Sequence, residues 1–134
     1  MARIIGSDTT IAVLQQADTD VERIRECYDE RRRLVLKRLV GIGLKVLTER
    51  VGAFYVFVTV RRYTRDVYDF AFQVLEEAGV AVTPGVDFGP GGEGYLRISY
   101  ANSLTNIAEG MDRLEAFLGR QSELAAEEGP SPAR

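Results

Sequence analysis

Histidine is absent from the 134 residues, and cysteine occurs once, as Cys27. Without an imidazole the chain cannot assemble a Ser/His/Asp hydrolytic triad or the commonest zinc sites. A single cysteine cannot close an internal disulfide, and with no histidine to activate it Cys27 reads as an inert helix residue. Long apolar runs are missing too. No stretch approaches the roughly 20 apolar residues of a membrane-spanning helix, and the start, "MARIIGSDTTIA", has neither the basic opening nor the apolar centre of a secretory signal. The expected location is the cytoplasm. Basic charge is not in excess: the net charge is −3 and the pI near 5.1, so the chain offers no broad positive field to nucleic acid or to an anionic membrane.

What is present is an ordinary globular composition, 46% apolar and 28% charged, in a length that suits one modest core. Val21, Ile24, Tyr28, Val35 and Leu39 recur at helical spacing behind the capping-box pattern Thr19-x-x-Glu22, which predicts one long helix over 18–42, ended by Gly41 and Gly43. "TTIAVLQQA" ahead of it reads as the tail of a short helix. Two strands are expected next, "LKVLT" (44–48) and "AFYVFVTV" (53–60), the second an unbroken apolar run of the kind covered on both faces.

A second helix is predicted over 66–78, with Thr64 as N-cap, Gly79 as C-cap and an apolar stripe of Val67, Phe70, Ala71, Val74, Leu75 and Ala78. A short strand "VAVT" (80–83), a glycine-rich loop (84–94) and a strand "YLRISYA" (95–101) follow. The last helix is capped by Ser103 or Thr105 and buries Ile107, Met111, Leu114 and Leu118; from Gln121 onward the polar, proline-bearing sequence reads as a flexible tail. This order implies an α+β fold, a small mixed or antiparallel sheet packed against helices.

Three features invite a chemical reading. Gly89-Pro90-Gly91-Gly92-Glu93-Gly94 matches G-x-G-x-x-G, but a dinucleotide site needs those glycines to open a helix, whose free N–H groups hold the phosphates. Here they open a strand, so the nucleotide reading fails on context. The basic run "ERRRLVLKR" (30–38) follows acidic residues at the start of the same helix, and Asp29 lies three and four positions before Arg32 and Arg33, so it reads as a self-paired, solvated face. Arg97 sits in mid-strand, on the face shared with Tyr95 and Ser99. It either meets an internal carboxylate or presents its planar fork to a ligand anion, and the residues alone leave both open.

The ordered series Gly52-Ala53-Phe54-Tyr55-Val56-Phe57, "VLEEAGVAVTPG" (74–85), Phe88-Gly89 and Gly94-Tyr95-x-Arg97-x-Ser99 resembles the C-terminal part of class I and II pyridoxal-phosphate-dependent aminotransferases, the aspartate aminotransferase-like group. The helix at 28–44 resembles the long connection between that family's large and small domains. The resemblance covers about residues 14–118. It implies a large-domain remnant or short helix at 1–17, a small domain at 18–119 whose sheet is preceded by the linker-like helix, and a flexible tail at 120–134.

It also implies that Arg97 binds the substrate's α-carboxylate, with Phe54 and Tyr55 nearby. Three positions depart from the family pattern: Arg50 and Val58 replace prolines, and Asp87 replaces a small residue. A larger departure concerns the cofactor. The family holds pyridoxal phosphate on a large-domain lysine in a Ser-x-x-Lys context, whereas this chain has only Lys37 and Lys45, neither in that context. The implied function is therefore that of a transaminase fragment, which contributes a substrate clamp and by itself neither transaminates nor holds the cofactor. The intact parent would be a homodimer acting on amino acids and 2-oxo acids. The rival reading is a stand-alone module that holds a small carboxylate or a protein partner without catalysis.

Overall fold

The computed structural model of the chain describes residues 11–12, 18–47 and 52–127. Most of the predicted short helix around 9–17, together with Arg50 and the segment 128–134, lies outside the described residues. Helix α1 (Asp18–Ile42) is followed by strand β1 (Tyr55–Thr59), helix α2 (Val67–Gln73, extended by a wider π-helical turn over Val74–Ala78), strand β2 (Thr83–Pro84), two short 3₁₀ turns, strand β3 (Tyr95–Ser99) and helix α3 (Leu104–Glu127). The three strands form an antiparallel sheet in the order β1-β3-β2, so β3 is central.

Alternation along the strands sorts the molecule into layers. Val56 and Val58 on β1, and Leu96 and Ile98 on β3, are buried in one cluster with Val35 and Leu39 of α1, Val67, Phe70 and Val74 of α2, and Ile107, Met111, Leu114, Phe117 and Leu118 of α3. Helices α1, α2 and α3 therefore cover the same face of the sheet. Residues of the opposite parity, Tyr55, Phe57, Thr59, Tyr95 and Arg97, are only half-buried. This corrects the expectation that 53–60 is covered on both faces: its apolar run combines a core-facing row of valines with a partly open row of aromatics.

The other departures have local causes. Of "LKVLT", Thr48 lies outside the described residues, and residues 44–47 do not form a full strand. Val46 makes a single bridge to Val58, flanked by Leu47 N–H to Phe57 O and Thr59 N–H to Lys45 O. "VAVT" pairs only at Thr83 and continues into Pro84, whose missing N–H is tolerated on an edge strand. The N-cap of α2 is Asp66, which accepts from the Tyr68 and Asp69 N–H groups, whereas Thr64 instead closes a turn onto the Asp66 backbone. Gly79, with φ +64°, closes the π-helical turn as predicted. At the start of α3, Ser103 is the cap, its hydroxyl accepting from Asn106 N–H. That helix continues to Glu127, past the point where a tail was expected.

The basic run on α1 is paired largely as its spacing suggested. Asp29 bridges Arg32 at 2.8 Å and Arg33 at 2.5 Å. Arg38 instead reaches across to α3, where it meets Asp112 at 2.5 Å and Glu115 at 3.0 Å, bracing the long helix against the last one. Tyr100, completely buried, donates its hydroxyl to Ala53 O, and burial pushes its phenol above the ordinary range.

Candidate functional site

The antiparallel register places Arg97 opposite Phe57 on one side and Thr83 on the other, in the middle of the central strand and on the face the helices leave uncovered. Its guanidinium carbon lies 4.4 Å from the Phe88 ring centroid and 5.1 Å from that of Tyr55. Phe57 meets Phe88 edge-on at 5.7 Å, Tyr55 meets Phe57 at 5.7 Å, and Phe54 meets Tyr55 at 5.2 Å, so the two rings against the fork belong to a chain of four. Cation–π attraction to such rings holds a guanidinium in place without using its N–H groups.

Among the described residues, none accepts a hydrogen bond from those N–H groups. Among the described residues no carboxylate pairs with Arg97, and its buried Nε has no hydrogen-bond partner. An unpaired buried donor costs about 1–3 kcal/mol. Of the two alternatives that the sequence left open, the internal ion pair is therefore not the one formed among these residues.

The sequence-expected residues Phe54, Tyr55 and Arg97 are brought together, with Phe54 half exposed at the outer end of the ring chain. Phe88, the ring nearest Arg97, was absent from the site expected from sequence, although Phe88-Gly89 had stood out as a motif. Asp87, beside it, lines a separate shallow groove with Tyr68, Phe72 and Leu75.

The loop that delivers Phe88 and Arg97 is folded tightly on itself. A Cβ on Gly92 would overlap the carbonyl of Gly85, and a Cβ on Gly85 would approach Tyr95 O to 2.8 Å, so only glycine lets these two backbone segments touch. Of the glycines that make the G-x-G-x-x-G match, Gly89 and Gly94 turn the chain at φ +130° and +81° and Gly91 meets nothing within 4 Å, so the match reflects loop turns ahead of a strand. Elsewhere, a concavity of about 300 Å³ lies between the end of α2 and the start of α3. Within it Asn102 Oδ1 accepts from Ser103 N–H and Asn106 Nδ2, and Arg113 pairs with Glu109.

The sequence of residues 3–114 matches the family of class I and II aminotransferases. The chain belongs to this family. It is 38% identical over 122 residues to a probable N-acetyl-LL-diaminopimelate aminotransferase of Bacillus subtilis, covering 91% of this chain and 31% of that protein. To an aspartate aminotransferase of Pyrococcus abyssi it is 46% identical over 98 residues, covering 73% and 25%. Among solved structures, an aromatic aminotransferase from Pyrococcus horikoshii superposes with a TM-score of 0.76 at 42% identity, covering 81% of this chain and 28% of that one. This aminotransferase chain therefore spans less than a third of the length of these relatives. The same comparisons agree with the observed α+β architecture and its small antiparallel sheet.

Proposed function

We propose that this chain is the substrate-carboxylate domain of a longer transaminase. The observation that carries the reading is Arg97, a half-buried guanidinium steadied by Phe88 and Tyr55 whose buried Nε has no partner among the described residues. A carboxylate supplies what this fork lacks, two acceptor oxygens at the spacing of two parallel N–H groups. Phe54 and Tyr55 form the apolar side of the same surface and contact the substrate beside the carboxylate.

Class I and II aminotransferases depend on pyridoxal phosphate, which supplies the electron sink for amino-group transfer when bound. The residues of this chain do not fit that group. Its only lysines, Lys37 on α1 and Lys45 beside β1, are both exposed and neither stands next to Arg97 in the sheet. The proposal assigns the cofactor to the rest of the parent protein. This domain then binds the carboxylate, orients the amino acid and, on closing, excludes water. A homodimeric, cytoplasmic parent belongs to the same proposal; among the described residues, no helix is long and apolar enough to cross a membrane.

Titration followed by NMR at the Arg97 Nε–H is the direct test. An α-amino acid is expected to shift this resonance, and the corresponding α-amino amide, which lacks the carboxylate, to leave it in place. Equal responses to both would refute the carboxylate assignment. A second expectation concerns the lysines. Pyridoxal phosphate followed by borohydride should label Lys37 and Lys45 no more than other exposed amines, as read by mass spectrometry. Stoichiometric labelling of either would overturn the division of labour.

A further inference from the structure

Glu93 lies four positions before Arg97, at the corner where the glycine-rich loop turns into β3. Its environment is set by the needs of another element. The first N–H groups of a helix have no acceptor within the helix. In α2, Asp66 Oδ1 accepts from Tyr68 N–H at 3.0 Å and Asp69 N–H at 3.1 Å, and the Asp66 carbonyl accepts from Phe70 N–H at 3.2 Å. Val67 N–H is left over, and it donates to Glu93 Oε1 at 3.0 Å across 26 positions of sequence. The same oxygen accepts from Gly94 N–H at 3.0 Å. One carboxylate oxygen thus joins the start of α2 to the start of β3, where its charge also complements the positive end of the helix.

Neighbouring contacts lace the same corner. Val60 N–H donates to Gly94 O at 2.8 Å, Arg61 Nη2 donates to Glu93 O at 3.4 Å, and the Arg61 guanidinium lies 4.9 Å from the Tyr95 ring centroid. On its other side the loop is tied by the pairing of Pro84 with Leu96 and by the Gly85–Gly92 approach. Between these ties sits Phe88, itself 52% exposed and touching Arg97 and Phe57 with its ring.

We propose that Glu93 is a positioning residue for Arg97: by anchoring the loop exit to α2 it fixes where β3 begins and keeps Phe88 seated over the guanidinium. Its functional meaning rests on the carboxylate-binding reading of Arg97, but its structural effect can be read without any ligand. The rings of Phe88 and Tyr55 shield the Arg97 Nε–H, so that proton's NMR resonance in the full chain reports whether the cage is closed.

Glu93→Ala is expected to move this resonance toward that of an unstructured arginine and to weaken α-amino acid binding about tenfold. Glu93→Gln retains an acceptor oxygen and restores both. Asp66→Ala is the control, because it removes two bonds from the same helix end without touching the loop. It should lower the melting temperature while leaving the Arg97 resonance in place. Should Glu93→Ala fail to fold, Glu93→Asp replaces it, being charged but one methylene too short to span both N–H groups. An Arg97 resonance that stays fixed in Glu93→Ala and Glu93→Asp, or that moves equally in Asp66→Ala, would overturn the positioning role. A resonance in the unsubstituted chain that never responds to an amino acid would instead overturn the carboxylate assignment and leave the positioning result standing.

Discussion

On the proposed reading, Arg97→Ala in the longer parent protein is expected to lower kcat/KM for α-amino acids by about 30-fold or more. That factor corresponds to the roughly 2 kcal/mol carried by a charge-assisted hydrogen-bond pair. The loss should fall on carboxylate-bearing substrates, and a matched amine without the carboxylate should react equally poorly with both enzymes. Arg97→Lys should recover only part of the rate, since an ammonium is a point charge and cannot present two parallel N–H groups. The fold gives a reason to expect no matching loss of stability. Arg97 Nε is buried without a partner, so removing it relieves a desolvated donor while forfeiting its contacts with Phe88 and Tyr55. Steady-state kinetics beside a thermal melt separate the two effects. Unchanged kcat/KM with intact folding would remove Arg97 from the substrate site.

Gly92→Ala should have the largest effect on folding among single methyl additions in the loop, costing about 3 kcal/mol. The added Cβ would meet the Gly85 carbonyl group and come within 2.7 Å of Val86 N, all backbone atoms that no rotamer change can move aside. For a domain of this size that corresponds to a fall of roughly 10 °C in Tm. Gly91→Ala is the natural comparison. Its Cβ would find nothing within 4 Å, and its backbone is not in the positive-φ region, so its effect should stay within about 0.5 kcal/mol. Circular-dichroism melts of the two variants test the contrast directly, and similar melts would contradict the close backbone approach.

Legibility from the sequence followed the range of the interactions involved. Helix α1, the Gly79 cap and the parity of β3 were readable because helical spacing, a left-handed C-cap and two-residue alternation are all written within a few neighbouring positions. The basic run was readable for the same reason at Asp29, though not at Arg38, whose partners Asp112 and Glu115 lie on another helix. "LKVLT" and "VAVT" carry strand-like residues, but a strand is completed by its neighbours, and only Val46 and Thr83 find pairing among them. Thr64 and Asp66 are both plausible caps by composition; only the chain path decides which oxygen faces the free N–H groups.

The candidate site shows the same limit. Arg97 was conspicuous because a charged residue interrupts a core-like strand, and the resemblance then proposed its role. Phe88 and Glu93 were hidden by distance, since the first acts across a loop fold and the second across 26 positions. The notable signal available for both was their presence in a run dense with glycine, which marks close backbone contact without saying what is brought close.

Because α1, α2 and α3 gather on one side of the sheet, strand positions of opposite parity answer to different demands. Val56, Val58, Leu96 and Ile98 belong to the core, whereas Tyr55, Phe57 and Arg97 belong to the uncovered face. Such a sheet behaves as two independent alphabets on one backbone. A library that randomises only the second alphabet, together with Phe54 and Phe88, alters that face while leaving the core valines, Leu96 and Ile98 in place.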